Sequence, residues 1–410
     1  MEEQDKIAWK IILEVSQKTG INISEGLIRR TSSRFCLGVE HGDYNGTELF
    51  GVSTDRFIWM AYKTTSSKKV RLFSANYPED GIVEFNLGNV PPPKSGGIAG
   101  TWARFPYGVD YILRREGYQL ENGIDGIIYG NIPGGGMSRS ASLTLNLTVT
   151  FLAANDLEIE DKFKIVEMAQ AVENDYIGSP CGQLDQIMIL FGKNGLGTHF
   201  DPKDRSIRYL PLGAGADFCL VSLDTGTDRP GLEKSTYKVR RTECEKFVSL
   251  LKPKYNLSLL GDVKDEETFH RIESEYKERH PDLFDRFYYI YFAQKRFYQM
   301  LEAWKGGDIL TVGRIFREDG WGLRDDYKIS GPELETMCAI ARTVPGVYGE
   351  RMLGGGDKGA SGALVDAEST DALRQAVDLA FPRSYPGLKD KYAVHVCRIV
   401  DGVKLISPGS

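Results

Sequence analysis

The segment PGGGMSRSA at residues 133–141, called here the first glycine loop, is the most informative stretch of the 410-residue chain. Its three successive glycines expose backbone N–H groups that can surround an anion without interference from a Cβ atom. Its serine hydroxyls could reach a phosphate or a magnesium ion. The segment lacks the Gly-Lys-Ser/Thr ending of a Walker loop. On these residues alone it is either a phosphate-binding loop or a plain glycine turn.

The residues that follow this loop give two conflicting predictions. From Ala141 to Phe151 apolar residues alternate with Ser, Thr and Asn, and this period of two predicts a strand. A phosphate-binding loop would instead precede a helix, because a helix N-terminus offers free N–H groups and the positive end of the helix dipole. Periodicity alone therefore predicts a strand.

Length and composition indicate a soluble globular chain of two or three domains. The net charge of −6 argues against a nucleic-acid-binding protein, which needs a basic face. The six cysteines have no metal-type spacing and the five histidines lie far apart, so we expect no zinc site and reduced thiols in a cytoplasmic protein. Neither a signal peptide nor an apolar run of about 18 residues is present, so no membrane association is expected.

The order of β-like and helical stretches predicts an α+β protein in two halves, divided near residue 205. Residues 21–77 and 363–365 are β-like. Helices are expected at residues 5–18, 109–117, 160–175, 240–252, 264–305 and 371–380.

Three further segments carry candidate chemistry. Gly354–Gly362, the second glycine loop, is either a ligand loop or a tight turn. Asp185, before an apolar run, is a helix N-cap or a carboxylate at a cleft, and the residues alone favour the cap.

The third segment is a polar cluster between β-like stretches. It could bind sugar hydroxyls, but the residues alone favour a charged surface loop. Its members are Arg34, Glu40, His41, Asp43 and Asn45.

Taken in order, these segments resemble the motifs of the GHMP kinase superfamily, in its galactokinase branch. Residues 32–46 (SSRFCLGVEHGDYNG) are similar to PGRxNLIGEHxDYNxG, and residues 133–141 to PxGGGLSSSA. Residues 181–186 resemble CGIMDQ, and residues 235–245 resemble SxYxxRRxxCE. Residues 354–359 resemble the third glycine motif of the family. The resemblance covers most of the chain.

The resemblance implies a two-lobed GHMP kinase fold of the α+β class with the active site between the lobes. Residues 1–205 would form a ribosomal-protein-S5-like lobe with the sugar-binding segment and phosphate loop, and residues 206–410 a ferredoxin-like GHMP kinase lobe. It implies an ATP- and Mg²⁺-dependent kinase that phosphorylates the anomeric hydroxyl of a galactose-type sugar. It also implies a helix after Ser140, against the periodicity.

The resemblance further assigns roles to individual residues. Asp185 would accept or orient the proton of the anomeric hydroxyl, and Arg34 would pair with Asp185 and neutralise charge on the transferring phosphoryl group. Ser140 and Glu173, twelve positions before Asp185, would bind magnesium. The sugar-binding residues would be Glu40, His41, Asp43, Gly182 and Tyr237. The nucleotide-binding residues would be Trp102, Gly134, Gly135, Gly136, Ser138 and Ser140.

Several positions depart from the family pattern and leave the sugar open. Serine or valine replaces a family glycine at Ser33 and Val39, and Arg139 replaces a serine. Asp357 and Lys358 replace the usual Phe and Gly of the third glycine motif. The altered motif also keeps open a non-catalytic protein that senses sugar and ATP. The resemblance does not specify an oligomeric state.

Other segments resemble plant-type galacturonokinases, namely residues 176–178, 344–351 and 364–368. A 6-carboxylate facing Glu40 would nevertheless be repelled, by up to about 4 kcal/mol at ~4 Å and an effective dielectric constant of ~20. We therefore favour a neutral galactose-type sugar. Galacturonate, arabinose, fucose and N-acetylgalactosamine are the alternative substrates.

Overall fold

The computed structural model describes residues 2–213, 217–227 and 234–406, and it confirms the predicted α+β class. Its strands are β1 (Leu27–Gly38), β2 (Leu49–Thr65), β3 (Lys69–Ser74), β4 (Ile82–Asn86), β5 (Gly123–Gly130), β6 (Leu196–Asp201), β7 (Ser206–Pro211), β8 (Phe218–Asp224), β9 (Val347–Met352), β10 (Ala360–Asp366), β11 (Ala393–Cys397) and β12 (Val403–Ile406). Its helices are α1 (Glu3–Thr19), α2 (Arg104–Arg115), α3 (Arg139–Ala154), α4 (Lys162–Ala171), α5 (Leu184–Leu190), α6 (Thr236–Tyr255), α7 (Glu266–Tyr276), α8 (Pro281–Gly306), α9 (Ile309–Asp325), α10 (Pro332–Arg342) and α11 (Thr370–Ser384).

Within the described residues the strands form one sheet of eight strands and one of four. The larger sheet has the order β12-β1-β2-β5-β3-β4, and the β6–β7 hairpin extends it from β2. Only β3 and β5 pair in parallel there; the other pairs are antiparallel. The smaller sheet, in the order β11-β8-β10-β9, is covered by α10 and α11 through a separate apolar cluster. The main apolar core, by contrast, includes residues of both sheets, such as Phe35 of β1 and Leu364 of β10.

The segment after the first glycine loop is the helix α3, so the strand predicted from its periodicity is wrong. The alternation misleads because the polar residues are buried along with the apolar ones. Thr144 and Thr148 each donate a hydrogen bond to the carbonyl four residues earlier, at 2.8 Å. Asn146 donates to carbonyls of β1 and β2. The polar side chains are thus satisfied inside the protein, as buried polar groups require.

The other element predictions are close to the observed bounds. Helices occupy all six predicted ranges, although residues 264–305 divide into α7 and α8, with Pro281 in the first position of α8, where proline is tolerated. The predicted strand at residues 363–365 lies in β10, and residues 21–77 hold β1, β2 and β3. No helix in the described ranges is both long and apolar enough to span a bilayer.

A two-lobe division at residue 205 stays a prediction. That position lies in the hairpin between β6 and β7, and both strands belong to the larger sheet. The chain also returns to this sheet at its end, where β12 pairs with β1. Sheet membership therefore favours a boundary after Pro211, with the last strand assigned to the first lobe.

Candidate active site

One cavity of about 480 Å³, called here the cleft, lies where the end of β1, the first glycine loop, α5 and the second glycine loop meet. Every site residue that the family resemblance assigns lines it, whereas Asn45 of the polar cluster does not. These residues are Arg34, Glu40, His41, Asp43, Trp102, Gly134, Gly135, Gly136, Ser138, Ser140, Glu173, Gly182, Asp185 and Tyr237. The structure thus brings together side chains that are spread over 204 positions of the sequence.

An ion pair between Arg34 on β1 and Asp185 in the first turn of α5 forms the centre of the cleft. The Arg34 Nε donates to Asp185 Oδ1 at 2.7 Å, and its Nη1 donates to the carbonyl of Gly136 at 2.6 Å. The Arg34 side chain is 2 % exposed, whereas that of Asp185 is 32 % exposed. The carboxylate is thus accessible and the guanidinium is held behind it. The N-cap role that the residues alone favoured for Asp185 is wrong, because its side chain bonds Arg34.

The charge of Arg34 is retained despite its burial. Burial alone would lower the pKa of this guanidinium, but the carboxylates of Asp185 and Glu40 outweigh that effect and raise the pKa. A buried cation paired in this way is a fixed source of positive charge next to the first glycine loop. It can stabilise negative charge that develops in the cleft.

Glu40 lies between two buried arginines, so the surface-loop interpretation of its segment is wrong. Its carboxylate is 3.8 Å from Nη2 of Arg34 and 3.5 Å from Nη2 of Arg351. Arg351, on β9, also donates to the carbonyl of Cys36 at 2.8 Å. Arg351 lies in residues 344–351, which resemble galacturonokinases, but that resemblance implies no role for it. Its pairing with Glu40 depends on the fold, since the two residues are 311 positions apart.

Asp43 and Gly182 are in such close contact that residue 182 has no room for a side chain. The Asp43 carboxylate accepts hydrogen bonds from the backbone N–H groups of Tyr44 at 3.0 Å and Leu184 at 3.1 Å. A Cβ on Gly182 would lie 1.8 Å from Asp43 Oδ2. Burial raises the pKa of Asp43 to about 6, and the nearby Asp185 adds to this shift, while the two N–H bonds oppose it.

The rings of His41 and Tyr237 form an aromatic wall of the cleft, and Tyr44 and Tyr327 pack behind them. The ring of His41 lies 5.2 Å from that of Tyr237 and 5.1 Å from that of Tyr327. His41 Nδ1 is 2.9 Å from the Tyr44 hydroxyl, which is 2.7 Å from the Tyr327 hydroxyl. Tyr44 lies inside a recognised motif, but no sequence signal marked Tyr327. Such a wall can contact the apolar face of a sugar and also offers polar groups.

The first glycine loop has the geometry of an anion cradle. Gly136 and Ser138 have positive φ angles of 82° and 61°, and α3 begins at the next residue, Arg139. The Ser138 hydroxyl is buried and bonds none of the described residues. Trp102, which also lines the cleft, likewise has an indole N–H without a partner in the described part of the chain. Both groups are available to a ligand such as a nucleotide.

The second glycine loop packs against the first, so its glycines do more than form a turn. A Cβ on Gly135 would lie 2.8 Å from the Cα of Gly359, and one on Gly354 would lie 3.0 Å from the Cα of Gly136. The two loops therefore contact each other backbone to backbone. Such an approach requires residues without a side chain.

Glu173 and Ser140, the two residues that the family resemblance assigns to magnesium, both line the cleft and carry oxygen donors of the kind that Mg²⁺ prefers. Glu173 is buried in a π-helical turn after α4, and Oε1 accepts from Gln186 at 3.4 Å. Ser140 lies in the first turn of α3. No group of three His, Cys, Asp or Glu side chains suited to a metal occurs among the described residues. A magnesium ion here would thus be bound mainly through a substrate phosphate, as is usual for Mg²⁺ in kinases.

Comparison with known proteins yields a family and a fold. Residues 105–193 match the model of the GHMP kinases N terminal domain. A galactokinase of Enterococcus faecalis is 31 % identical over 345 residues, which are 83 % of this chain and 86 % of the relative. A galactokinase of Streptococcus mutans is 31 % identical over 369 residues, covering 90 % of this chain and 91 % of the relative.

Solved structures give the same result. Lactococcus lactis galactokinase complexed with galactose superposes with a TM-score of 0.87 at 26 % identity, covering 97 % of this chain and 99 % of that one. Methanococcus jannaschii mevalonate kinase superposes with a TM-score of 0.62 at 16 % identity, over 92 % of this chain and 98 % of that one, and shows a shared fold. The two-sheet α+β architecture is thus the one found in these kinases.

Proposed function

The chain belongs to the galactokinase family of GHMP kinases, and we propose that it transfers the γ-phosphoryl group of ATP to the anomeric hydroxyl of a galactose-type sugar. The observation that carries this proposal is the Arg34–Asp185 pair, bound on one side to the carbonyl of Gly136 in the first glycine loop. The pair places an accessible carboxylate and a fixed cation between the glycine loops and the polar segment that follows β1.

Asp185 acts on the sugar hydroxyl. Phosphoryl transfer passes through a loose transition state, so positioning and charge stabilisation dominate catalysis. The accessible Asp185 carboxylate orients the attacking hydroxyl and accepts its proton, a contribution of roughly 10²–10⁴-fold for a general base. Arg34 fixes this carboxylate through the 2.7 Å bond and supplies positive charge near the transferring group.

The first glycine loop holds the triphosphate of ATP. Its backbone N–H groups and the N-terminus of α3 face the phosphates, and the Ser138 hydroxyl, which bonds none of the described residues, adds a donor. The Trp102 indole, whose N–H bonds none of the described residues, contacts the base end of the nucleotide. Gly134, Gly135 and Gly136 allow the backbone to approach the phosphates.

Magnesium, when bound with ATP, neutralises part of the phosphate charge. Ser140 and Glu173 would hold it, since a hydroxyl and a carboxylate are ligands that suit this ion. The remaining ligands would come from phosphate oxygens and water.

The sugar lies against the polar and aromatic side of the cleft. Glu40, His41, Asp43 and Tyr237 offer carboxylates, an imidazole and a phenol to its hydroxyls, and Gly182 leaves room for Asp43. The cytoplasmic location and the two lobes stay predictions of the same proposal.

Sugar-dependent release of ADP tests the proposal. Galactose, galacturonate, arabinose, fucose and N-acetylgalactosamine are each incubated with the protein, ATP and Mg²⁺, and we expect galactose to give the highest kcat/KM. Asp185→Asn is the matched control, because it keeps the shape of the side chain but removes the base. Robust turnover of galacturonate alone would overturn the choice of sugar. Binding of galactose and ATP without any ADP release would instead indicate a sugar- and ATP-sensing protein.

A further inference from the structure

Asp357, one of the residues that depart from the family pattern, makes a specific contact outside the catalytic pair. Its Oδ2 accepts a hydrogen bond of 2.7 Å from the backbone N–H of Thr236, the first residue of α6. The N–H groups of a first helical turn have no partner within the helix, and a carboxylate there also interacts favourably with the helix dipole. Asp357 therefore caps α6 from a distant loop.

The capped end of α6 carries a residue of the proposed sugar site. Tyr237 directly follows Thr236, is buried, and has its ring 5.2 Å from His41 and 5.4 Å from Tyr44. The backbone position of Thr236 thus sets where the Tyr237 ring enters the cleft. A shift of this helix end would move the aromatic wall relative to the sugar.

The loop that carries Asp357 lies on the proposed nucleotide side of the cleft. Asp357 lies within the second glycine loop, whose Gly354 and Gly359 contact the first glycine loop backbone to backbone. The Asp357 N–H donates to the carbonyl of Ile329 at 2.8 Å, and the Thr225 hydroxyl donates to the carbonyl of Gly359 at 2.6 Å. The loop is therefore held on both sides and can transmit a displacement to the cap.

We propose that Asp357 is a positioning residue that couples nucleotide binding at the glycine loops to sugar binding at Tyr237. This inference rests on the proposed function, because it takes the two sides of the cleft as the nucleotide and sugar sites. A phenylalanine, which stands here in the family pattern, has no acceptor for the Thr236 N–H. The coupling through this hydrogen bond is thus a property of this chain.

Two variants remove the same hydrogen bond from opposite ends. Asp357→Gly removes the carboxylate and suits the positive φ of 60° at this position. Thr236→Pro removes the donor N–H, and proline is tolerated in the first position of a helix. Asp357→Asn keeps an acceptor and is the conservative variant. Lys358→Ala, at an exposed neighbour in the same loop, is the matched control.

Calorimetric titration with galactose, with and without a non-hydrolysable ATP analogue and Mg²⁺, measures the coupling. In the wild-type protein we expect the analogue to strengthen galactose binding. Asp357→Gly and Thr236→Pro should each weaken galactose binding by about 3- to 30-fold in the presence of the analogue, the range of a lost helix cap, and reduce its effect. The double variant should be no worse than either single one, since both remove one bond. Asp357→Asn and Lys358→Ala should stay near the wild-type values.

The outcome separates positioning from mere support of the fold. A lower melting temperature with unchanged galactose affinity, in either variant, would refute the coupling. Additive losses in the double variant would also contradict it, because the two changes would then act through different contacts. Absence of ADP release with every sugar would overturn the proposed function, whereas the galactose titrations would still measure the coupling.

Discussion

Lowering the pH should reduce sugar binding through one residue, Asp43. Its carboxylate lies in the cleft, and burial raises its pKa to about 6. The ionised form accepts hydrogen bonds from sugar hydroxyls, whereas the protonated form loses that charge. At pH 5, about one pH unit below this pKa, only about a tenth of the free protein carries an ionised Asp43. We therefore expect kcat/KM for galactose to fall about tenfold between pH 7 and pH 5. The pH dependence of kcat/KM follows the pKa values of groups in the free enzyme, and the raised pKa of Asp43 is one of these.

The raised pKa of Asp43 should also make the free energy of unfolding depend on pH. A carboxyl group whose pKa is raised in the folded state binds more protons when folded than when unfolded, between about pH 4 and pH 6. The contribution of Asp43 to the free energy of unfolding is thus largest below pH 4 and declines as the pH rises through 6. A pKa raised to about 6 from the ordinary value of 3.8 corresponds to at most ~3 kcal/mol. The actual contribution is smaller, because Asp43 is partly exposed and water in the cleft screens its charge.

Asp43→Asn isolates this contribution. The amide does not titrate, so the variant should lack the Asp43 part of the decline in unfolding free energy, as measured by urea denaturation at pH 4.5 and pH 7. An amide can accept from only one of the two N–H groups of Tyr44 and Leu184. This lost bond lowers stability by a similar amount at both pH values, so it does not mask the change in pH dependence that comes from the lost titration. The reasoning is refuted if wild type and variant show the same pH dependence of stability, or if kcat/KM stays flat down to pH 5.

Three substitutions test the other roles. Asp185→Asn should preserve galactose and ATP affinity in binding titrations while lowering kcat by roughly 10²–10⁴-fold; near-normal turnover removes this residue from the mechanism. Glu173→Ala should raise the Mg²⁺ concentration needed for half-maximal activity, whereas Glu167→Ala on the exposed face of α4 should not; identical magnesium titrations would exclude Glu173 as a ligand. Gly182→Ala should raise KM for galactose more than tenfold and cost about 1–3 kcal/mol of stability, because its Cβ overlaps Asp43; an unchanged KM contradicts this contact.

Ordered motifs located the site better than local patterns did. All fourteen predicted site residues line one cleft, because each motif pairs a residue type with a backbone shape that the chemistry requires. Local rules failed where tertiary contacts decide the outcome. Periodicity predicted a strand for α3, since it assumes that polar residues face water, and here they are buried and bonded to the backbone.

Residues that act through distant partners were beyond the reach of sequence patterns. Asp185 has the local context of a helix cap, and only Arg34, 151 positions away, shows that its carboxylate points elsewhere. Tyr327, just after α9, and Arg351, on β9, lie outside the quoted ligand motifs. They meet the cleft residues only through packing of α9 and β9 against β1. Likewise, Asp357, which stands where the family pattern has Phe, caps helix α6, and no local sequence pattern indicates that contact.

The position of Glu40 changes the reason for preferring a neutral sugar. Arg34 and Arg351 flank its carboxylate, so the repulsion of a 6-carboxylate by Glu40 alone is largely offset. However, Oε2 of Glu40 is buried and accepts no hydrogen bond from the described residues. A sugar with a 6-hydroxyl can donate to it, whereas galacturonate, fucose and arabinose have no such donor. Oε2 has the Arg351 guanidinium 3.5 Å away but no hydrogen bond, and a buried acceptor left without a hydrogen bond disfavours a ligand more strongly than a missing apolar contact does. Hydrogen-bond donation, rather than net charge, should therefore place galactose and N-acetylgalactosamine above the other three sugars at this contact.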